Sequence, residues 1–347
     1  MERNHIIRKN LAVGIILLFV GTCLIPTDAQ DIEKSSSPTF RGDWLYVGGS
    51  GPGNYTKIQG AIDNASDGDT VFVYDDSSPY KENIVINTSI SLIGEDKNTT
   101  IINGTNNGHH GVNITADNVT VRGFTIRYCG GNGTTELGSG IRMSSNNNRI
   151  TDNILVDNEY GITTNIHNLS LPFPPSKGHN TITNNVIIDN GAGIFILTGW
   201  NNTVRGNIIS QSEMGIVVGA AMNNNISLNN ISENTFFGVF VLSSYNIVIY
   251  RNNVSHNGLG VWTMITSAVK ILQNNFIGNN WSAASAQQGL LSKIRMFKIK
   301  LDIPIRRNVW KGNYWDGPRS MPYMIPGVFL KFSFQVDWHP AQTPYDI

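Results

Sequence analysis

The chain has almost no cysteine. Of two in 347 residues, Cys23 lies inside an apolar leader and Cys129 stands alone beyond it. An intramolecular disulfide in the exported chain is therefore excluded, and stability has to come from packing. A lone Cys129 after the strand-like Phe124-Thr125-Ile126-Arg127-Tyr128 reads as a small buried hydrophobe. Charge is scarce as well: charged side chains make up 14% of the residues, and 25 basic ones balance 25 acidic ones. A nucleic-acid partner, which calls for a basic excess, is not expected. Helix-length amphipathic periods are missing, which excludes alternating strand-helix units. Polarity is carried by Asn, Ser, Thr and Gly. Fourteen Asn-x-Ser/Thr sequons occur, among them Asn54, Asn87, Asn98, Asn113, Asn201, Asn225 and Asn280, each an acceptor for glycan where the machinery exists.

What is present is a repeat. A glycine column runs Gly140, Gly161, Gly193, Gly215, Gly238, Gly260, with steps of 21, 32, 22, 23 and 22 residues. A period of this size means stacked units, each too small to bury its own apolar face. After each glycine the pattern alternates, as in Ile194-Phe195-Ile196 and Val239-Phe240-Val241, so each unit contains a strand with β-branched residues facing a narrow core. A second column, Asn153, Asn185, Asn207, Asn229 or Asn230, Asn252 or Asn253, and Asn274 or Asn275, recurs beside hydrophobic residues. Asn tolerates the left-handed backbone of a sharp turn, and its amide both donates and accepts, so the column predicts a hydrogen-bonded ladder between coils. Together these predict an all-β solenoid, a parallel β-helix of about nine or ten coils of about 22 residues each.

The entry segment resembles a known group. Tyr55-Thr56-Lys57-Ile58-Gln59, Ala61-Ile62-Asp63, Asp67-Gly68-Asp69-Thr70-Val71, Tyr80-Lys81-Glu82-Asn83-Ile84-Val85-Ile86 and Ser91-Leu92-Ile93-Gly94-Glu95 look like the start of right-handed parallel β-helices of the pectin-lyase-like superfamily. The Asn-rich coils after it are most similar to NosD-type periplasmic copper-binding repeat proteins. The resemblance covers roughly residues 44 to 281. It implies the fold, and it leaves activity open, because the superfamily hosts lyases, hydrolases, esterases, epimerases and plain binding proteins.

Four segments follow. Residues 1–29 read as a secretory signal with Arg3, Arg8 and Lys9 ahead of an apolar run from Leu11 to Ile25 and Ala29 at a cleavage point; that run is shorter than the ~20 residues that span a bilayer. Residues 30–43 are a polar linker, 44–284 the β-helix, and 285–347 a C-terminal cap. Ile58, Ala61, Ile62 and Ala65 at helical spacing predict a short helix closing the first coil. The expected location is secreted, extracellular or periplasmic, with no membrane span in the mature chain and a monomeric state.

Candidate chemistry lies on the outward face of the repeat strand: Arg142, Thr163, Phe195, Val217, Phe240, Trp262, with Leu197, Leu242 and Met264 two positions on. A face so apolar calls for a cover. Three are open: the insert Leu169-Ser170-Leu171-Pro172-Phe173-Pro174-Pro175, the tail run Ile325-Pro326-Gly327-Val328-Phe329-Leu330, or a ligand. Arg142, Phe195, Phe240 and Trp262 are the candidate ligand-binding residues, for a polysaccharide or cell-surface glycan whose rings would stack on the aromatic faces.

Catalytic patterns fail. Asp152, Asp157, Glu159, Asp189, Glu213 and Glu233 form no column beyond Asp157 with Asp189, and paired carboxylates for glycoside cleavage are not apparent. The resemblance to NosD implies copper handling, yet Met143, Met214, Met222, Met264, His109, His110 and His256 are scattered, with His109-His110 the adjacent pair. Neither a metal nor a cofactor is expected. In the tail, Trp310, Trp315 and Trp338 suit packing against the last coil, and Asp337, His339 and Asp346 form a polar group. The expectation is a non-catalytic scaffold or glycan-binding protein; the alternatives are a lyase, hydrolase or epimerase acting on acidic glycans, and a copper-handling protein.

Overall fold

A computed structural model describes residues 42–104, 109–130, 138–164, 178–286, 307–327 and 334–347. The signal, most of the linker, the proline-rich insert and Val328 to Leu330 lie outside these residues.

The chain winds as a right-handed parallel β-helix with three sheets. Sheet A has eleven strands, from Trp44–Val47 and Thr70–Val73 to Val309–Lys311. Sheet B has nine, from Ile101–Asn103 to Tyr314–Trp315, and sheet C nine, from Ile84–Ile86 to Trp281–Ala286. Each neighbouring pair within these sheets is parallel and in register between successive coils, as in Ile162 beside Ile194 and Ile194 beside Ile216. The inward residues, among them Val121, Ile150, Ile182, Val204, Ile226 and Ile249 from sheet A, form one continuous core and are fully buried.

The glycine column follows from how closely the coils stack. A Cβ on Gly193 would lie 2.7 Å from the Gly215 carbonyl oxygen, and one on Gly215 would lie 2.4 Å from that of Gly238. Only a residue without Cβ permits that backbone approach.

Corners between sheets are made by single residues in the left-handed region. Between sheets A and B these include Asp152, Asn184, Leu228, Arg251 and Gln273, with φ from 51° to 57°. The residue that follows is the buried asparagine of the column. Where the sequence left a choice, Asn229, Asn252 and Asn274 are the ladder residues, each 0% exposed. The backbone N–H of Asn207 donates to Asn229 Oδ1 at 3.0 Å, that of Asn229 to Asn252 Oδ1 at 3.0 Å, and that of Asn252 to Asn274 Oδ1 at 2.9 Å. Two further ladders run along the other corners. Asn148, Asn180, Asn202 and Asn224 line the corner from C to A. Asn158, Asn190, Ser212, Asn234, Asn257 and Asn279 line the corner from B to C.

Both ends are closed. Helix α1 (Ile58–Ile62) covers the first coil with Ile58, Ala61 and Ile62 buried, and the Glu82 carboxylate accepts the N–H groups of Ile58 and Gln59 at 2.9 and 3.0 Å. At the other end the expected boundary at residue 284 moves: Val309–Lys311 pairs with Lys270–Leu272 and Tyr314–Trp315 with Asn275–Ile277. The solenoid thus runs on past the glycine column: Asn313 continues the ladder between sheets A and B by accepting the Asn274 N–H, and Asn308 accepts that of Val269 at the corner from C to A. An antiparallel hairpin, Tyr323–Pro326 with Phe334–Asp337, follows. Trp310 and Trp315 are buried in the main core as expected, Trp315 stacking on Phe276 at 4.6 Å and on Tyr323 at 4.0 Å. Trp338 departs from that expectation: it is 67% exposed, because it lies just past the hairpin strand.

Candidate functional site

The outward face of sheet C holds a second apolar cluster, separate from the main core, of Tyr160, Phe195, Leu197, Met214, Val217, Phe240, Leu242 and Met264, with Phe237 and Trp262 packed against it. Phe195 is 4% exposed and Phe240 1%, and Trp262 is partly buried. Phe240 and Trp262 are in register and stack at 4.8 Å, but Val217 separates them from Phe195, which meets Tyr160 instead at 5.5 Å. The face is covered, and a ligand there would have to displace what buries it. The tail is not that cover among the described residues: Ile325 joins the main core at the end of the helix, and no residue from 307 onward belongs to the second cluster.

Towards the first coils the same face turns polar. Arg142 is 5% exposed, and its guanidinium lies 3.3 Å from His110 Nε2, while the Ser139 N–H donates to His110 Nδ1 at 3.1 Å. Ser139 Oγ and Thr163 Oγ1 share a hydrogen bond of 2.8 Å. Two residues singled out separately in the sequence, His110 and Arg142, are therefore brought together. Burial, the Arg142 charge and His109 push the His110 pKa down to about 4. The unfolded imidazole binds a proton near pH 6.5, so between those values the unfolded state holds the extra proton. Stability from this group is full above about pH 6.5 and falls as pH drops towards 4. After allowance for partial exposure we expect a loss of about 1–2 kcal/mol over that window, read as a thermal midpoint against pH that flattens in His110→Gln.

This cluster does not fit copper. One ring nitrogen of His110 already accepts a backbone N–H and the other faces a guanidinium. The soft ligands stand apart: Met143 is in the main core, Met214 and Met264 are in the second cluster, and His256 sits at a left-handed corner with φ 57°. Among the described residues no group of three His, Cys, Asp or Glu side chains is placed to hold a metal.

The acids prove to be corner residues. Asp157, Asp189, Gln211 and Glu233 occupy equivalent left-handed positions between sheets B and C, with φ 55° to 57°. Their alignment reflects turn chemistry. Asp152 occupies a corner too and pairs with Lys97. Asp337 is structural: fully buried, it accepts the N–H groups of Gly312, Asn313 and His339, the Asn313 amide and the Trp315 indole at 2.9 to 3.2 Å.

An open aromatic surface lies elsewhere, at the first end of sheet A. Trp44, Tyr46, Phe72 and Tyr74 point outward while Val47, Val71 and Val73 enter the core. Trp44 is 54% exposed and Tyr46 38%. The rings form a contiguous platform: Trp44 to Tyr46 is 6.2 Å, Trp44 to Phe72 6.1 Å, Tyr46 to Tyr74 6.1 Å and Phe72 to Tyr74 5.1 Å. It stands outside the repeat because these strands precede the glycine column. The signal was available as two short alternations, Trp44-x-Tyr46 and Phe72-x-Tyr74, placed side by side by the pairing of Tyr46 with Phe72.

Against this geometry, the family model described as periplasmic copper-binding protein (NosD) matches residues 131–320, more than half of the chain. The chain belongs to the NosD family. Among solved structures, this NosD-family chain is similar to XylC in its complex with xylose, at TM-score 0.54 and 11% identity, covering 70% of this chain and 68% of that one. It is also similar to full-length tailspike protein 2 from Escherichia coli O157:H7 bacteriophage CAB120, at TM-score 0.51 and 14% identity, covering 78% of this chain and 38% of that one. At such identities the likeness concerns the fold. Comparison with curated proteins finds no match. No helix of the described residues is long and apolar enough to cross a membrane.

Proposed function

We propose that this NosD-family chain is an exported, non-catalytic β-helix that binds glycan through the aromatic end of sheet A. The observation that carries the reading is the platform of Trp44, Tyr46, Phe72 and Tyr74: four contiguous rings at one end of sheet A, Trp44 and Tyr46 exposed and Phe72 and Tyr74 partly so, in the arrangement that sugar rings stack upon. The closed sheet C face, the corner placement of the acids and the misfit of His110 with copper all favour binding over chemistry or metal transport. The family description and the basic, apolar N-terminal segment favour a periplasmic or extracellular location. The test is retention on a panel of immobilised polysaccharides. Trp44→Ala with Tyr46→Ala should weaken retention at least ten-fold, since each lost anchor costs about 1–2 kcal/mol, and should leave the thermal midpoint nearly unchanged. Retention equal to that of the parent protein would refute the platform.

A second reading, an enzyme acting on acidic glycan, rests on one observation. Arg142, a cation suited to a carboxylate, lies beside the neutral His110. It requires product release from a uronate polymer that His110→Gln abolishes.

A further inference from the structure

The chain as a whole is neutral, but sheet A is not. None of its eleven strands contains an Asp or a Glu, whereas their outward positions hold Arg122, Arg149, Arg205, Lys270 and Lys311, all exposed. Among the described residues none of these five side chains has an ion-pair or hydrogen-bond partner; Lys97, by contrast, is paired with Asp152. The nearby acids of the first coils sit at the corner beyond the strands, with Asp76 accepting the Gly49 N–H and Glu95 that of Asp75.

The cations are spaced by whole strands. Arg122 and Arg149 are on adjacent strands, Arg205 is two further on, Lys270 three beyond that, and Lys311 is next. At about 4.8 Å per strand the five span roughly 34 Å along the sheet, alternating between two columns two residues apart, with Arg122, Arg205 and Lys311 at the ends of their strands and Arg149 and Lys270 at the starts. Thr181, Thr183 and Thr203, partly exposed, add hydroxyls on the same face. Five charges over that length are sparse against duplex DNA, which carries one per about 1.7 Å. They suit a chain with one charge per sugar.

We infer that the outer face of sheet A binds a linear acidic polysaccharide lengthwise. Its carboxylate or sulfate groups meet the row from Arg122 to Lys311, and one end rests on the aromatic platform. This deepens the glycan-binding reading and rests on it, while placing the charge recognition on residues that reading does not use.

The experiment measures retention of the full chain on polygalacturonate, on its methyl-esterified and therefore uncharged counterpart, on dextran sulfate, and on single-stranded DNA, across a salt series. The variants are R149Q/R205Q/K270Q and the Trp44→Ala, Tyr46→Ala pair, with thermal unfolding as the check on fold. Wild type should bind polygalacturonate or dextran sulfate in a salt-dependent way and more tightly than DNA. The triple variant should lose at least ten-fold in affinity, with a log-log salt slope shallower by about two to three, and should still bind the esterified polymer as wild type does. A triple variant with wild-type affinity and slope overturns the inference, as does a wild type that ignores both charged polysaccharides. DNA held as tightly as the polysaccharides overturns the assignment to glycan. If the triple variant loses the charged polymers while the aromatic pair changes nothing, the platform fails and the cation row stands; the reverse result sinks the row and keeps the platform.

Discussion

Asp337→Ala should loosen the C-terminal end of the solenoid at a cost of about 3–5 kcal/mol. The ladder along the corner from A to B has a direction: each asparagine carbonyl accepts from the coil before it, so the last member, Asn313, has donors with no asparagine beyond to accept them. Asp337 supplies that acceptor, taking the Asn313 backbone N–H at 2.9 Å and its amide at 3.0 Å. It also holds the indole of Trp315, the buried ring that closes the core. Alanine strands these donors in a place from which water is excluded, and each buried unsatisfied group costs about 1–3 kcal/mol. Asp337→Asn keeps one acceptor oxygen and should cost less, about 1–2 kcal/mol. Because coils interact mainly with their neighbours, the loss should be local. Hydrogen exchange should show Val309–Trp315 unprotected in Asp337→Ala while the central coils keep their protection. Unchanged exchange at that end would show that the hairpin, rather than Asp337, terminates the stack.

The second large effect separates two adjacent identical residues. Asn229→Ala should lower stability by about 2–4 kcal/mol, and Asn230→Ala by no more than about 0.5 kcal/mol. Asn229 is fully buried, its Oδ1 accepts the backbone and amide N–H groups of Asn207 at 3.0 Å each, and its own amide reaches Val204 O at 3.0 Å and Asn252 Oδ1 at 2.9 Å. Asn230 faces outward and meets only the Asn253 amide, at 3.1 Å in an exposed setting. Urea midpoints of the two variants decide the matter. Equal effects would mean that the ladder adds nothing specific to the stack.

These two asparagines also show how far the fold was legible beforehand. The glycine column is readable because close backbone approach admits one residue type only, so Gly161, Gly193, Gly215 and Gly238 repeat without substitution. The first asparagine ladder is readable for a similar reason. The other two were obscured because Ser212 stands in for asparagine in one and the composition is so rich in Asn elsewhere that a second column does not stand out. The corner acids illustrate the opposite error, in which Asp157 and Asp189 align because the backbone demands φ near 55° there, a demand that Asn, Asp and Gln can all meet. On sheet C the need for a cover was legible from Phe240 and Trp262, but proximity to the tail in sequence said nothing about where the tail would dock. Ile325 instead enters the main core. The His110 and Arg142 contact could not be read from spacing, since it depends on strands 29 residues apart coming into register through Asn113 and Arg142.

The aromatic platform and the cation row share a cause for having been missed. Sheet A strands are short, three or four residues each, and their outward positions number one or two per coil. A property spread so thinly along the chain becomes visible only when the coils are stacked. The neutral total charge conceals the row entirely, because acids elsewhere in the chain balance it.

The most direct test of the account is a polysaccharide screen of the full chain that reads both retention and released product, run beside the Trp44→Ala, Tyr46→Ala pair and Phe240→Ala. Retention without product is expected, lost in the sheet A pair and kept in Phe240→Ala, whose buried ring should cost stability instead, about 3–5 kcal/mol. Released product, or retention lost only on changing Phe240, would contradict it and return the site to sheet C.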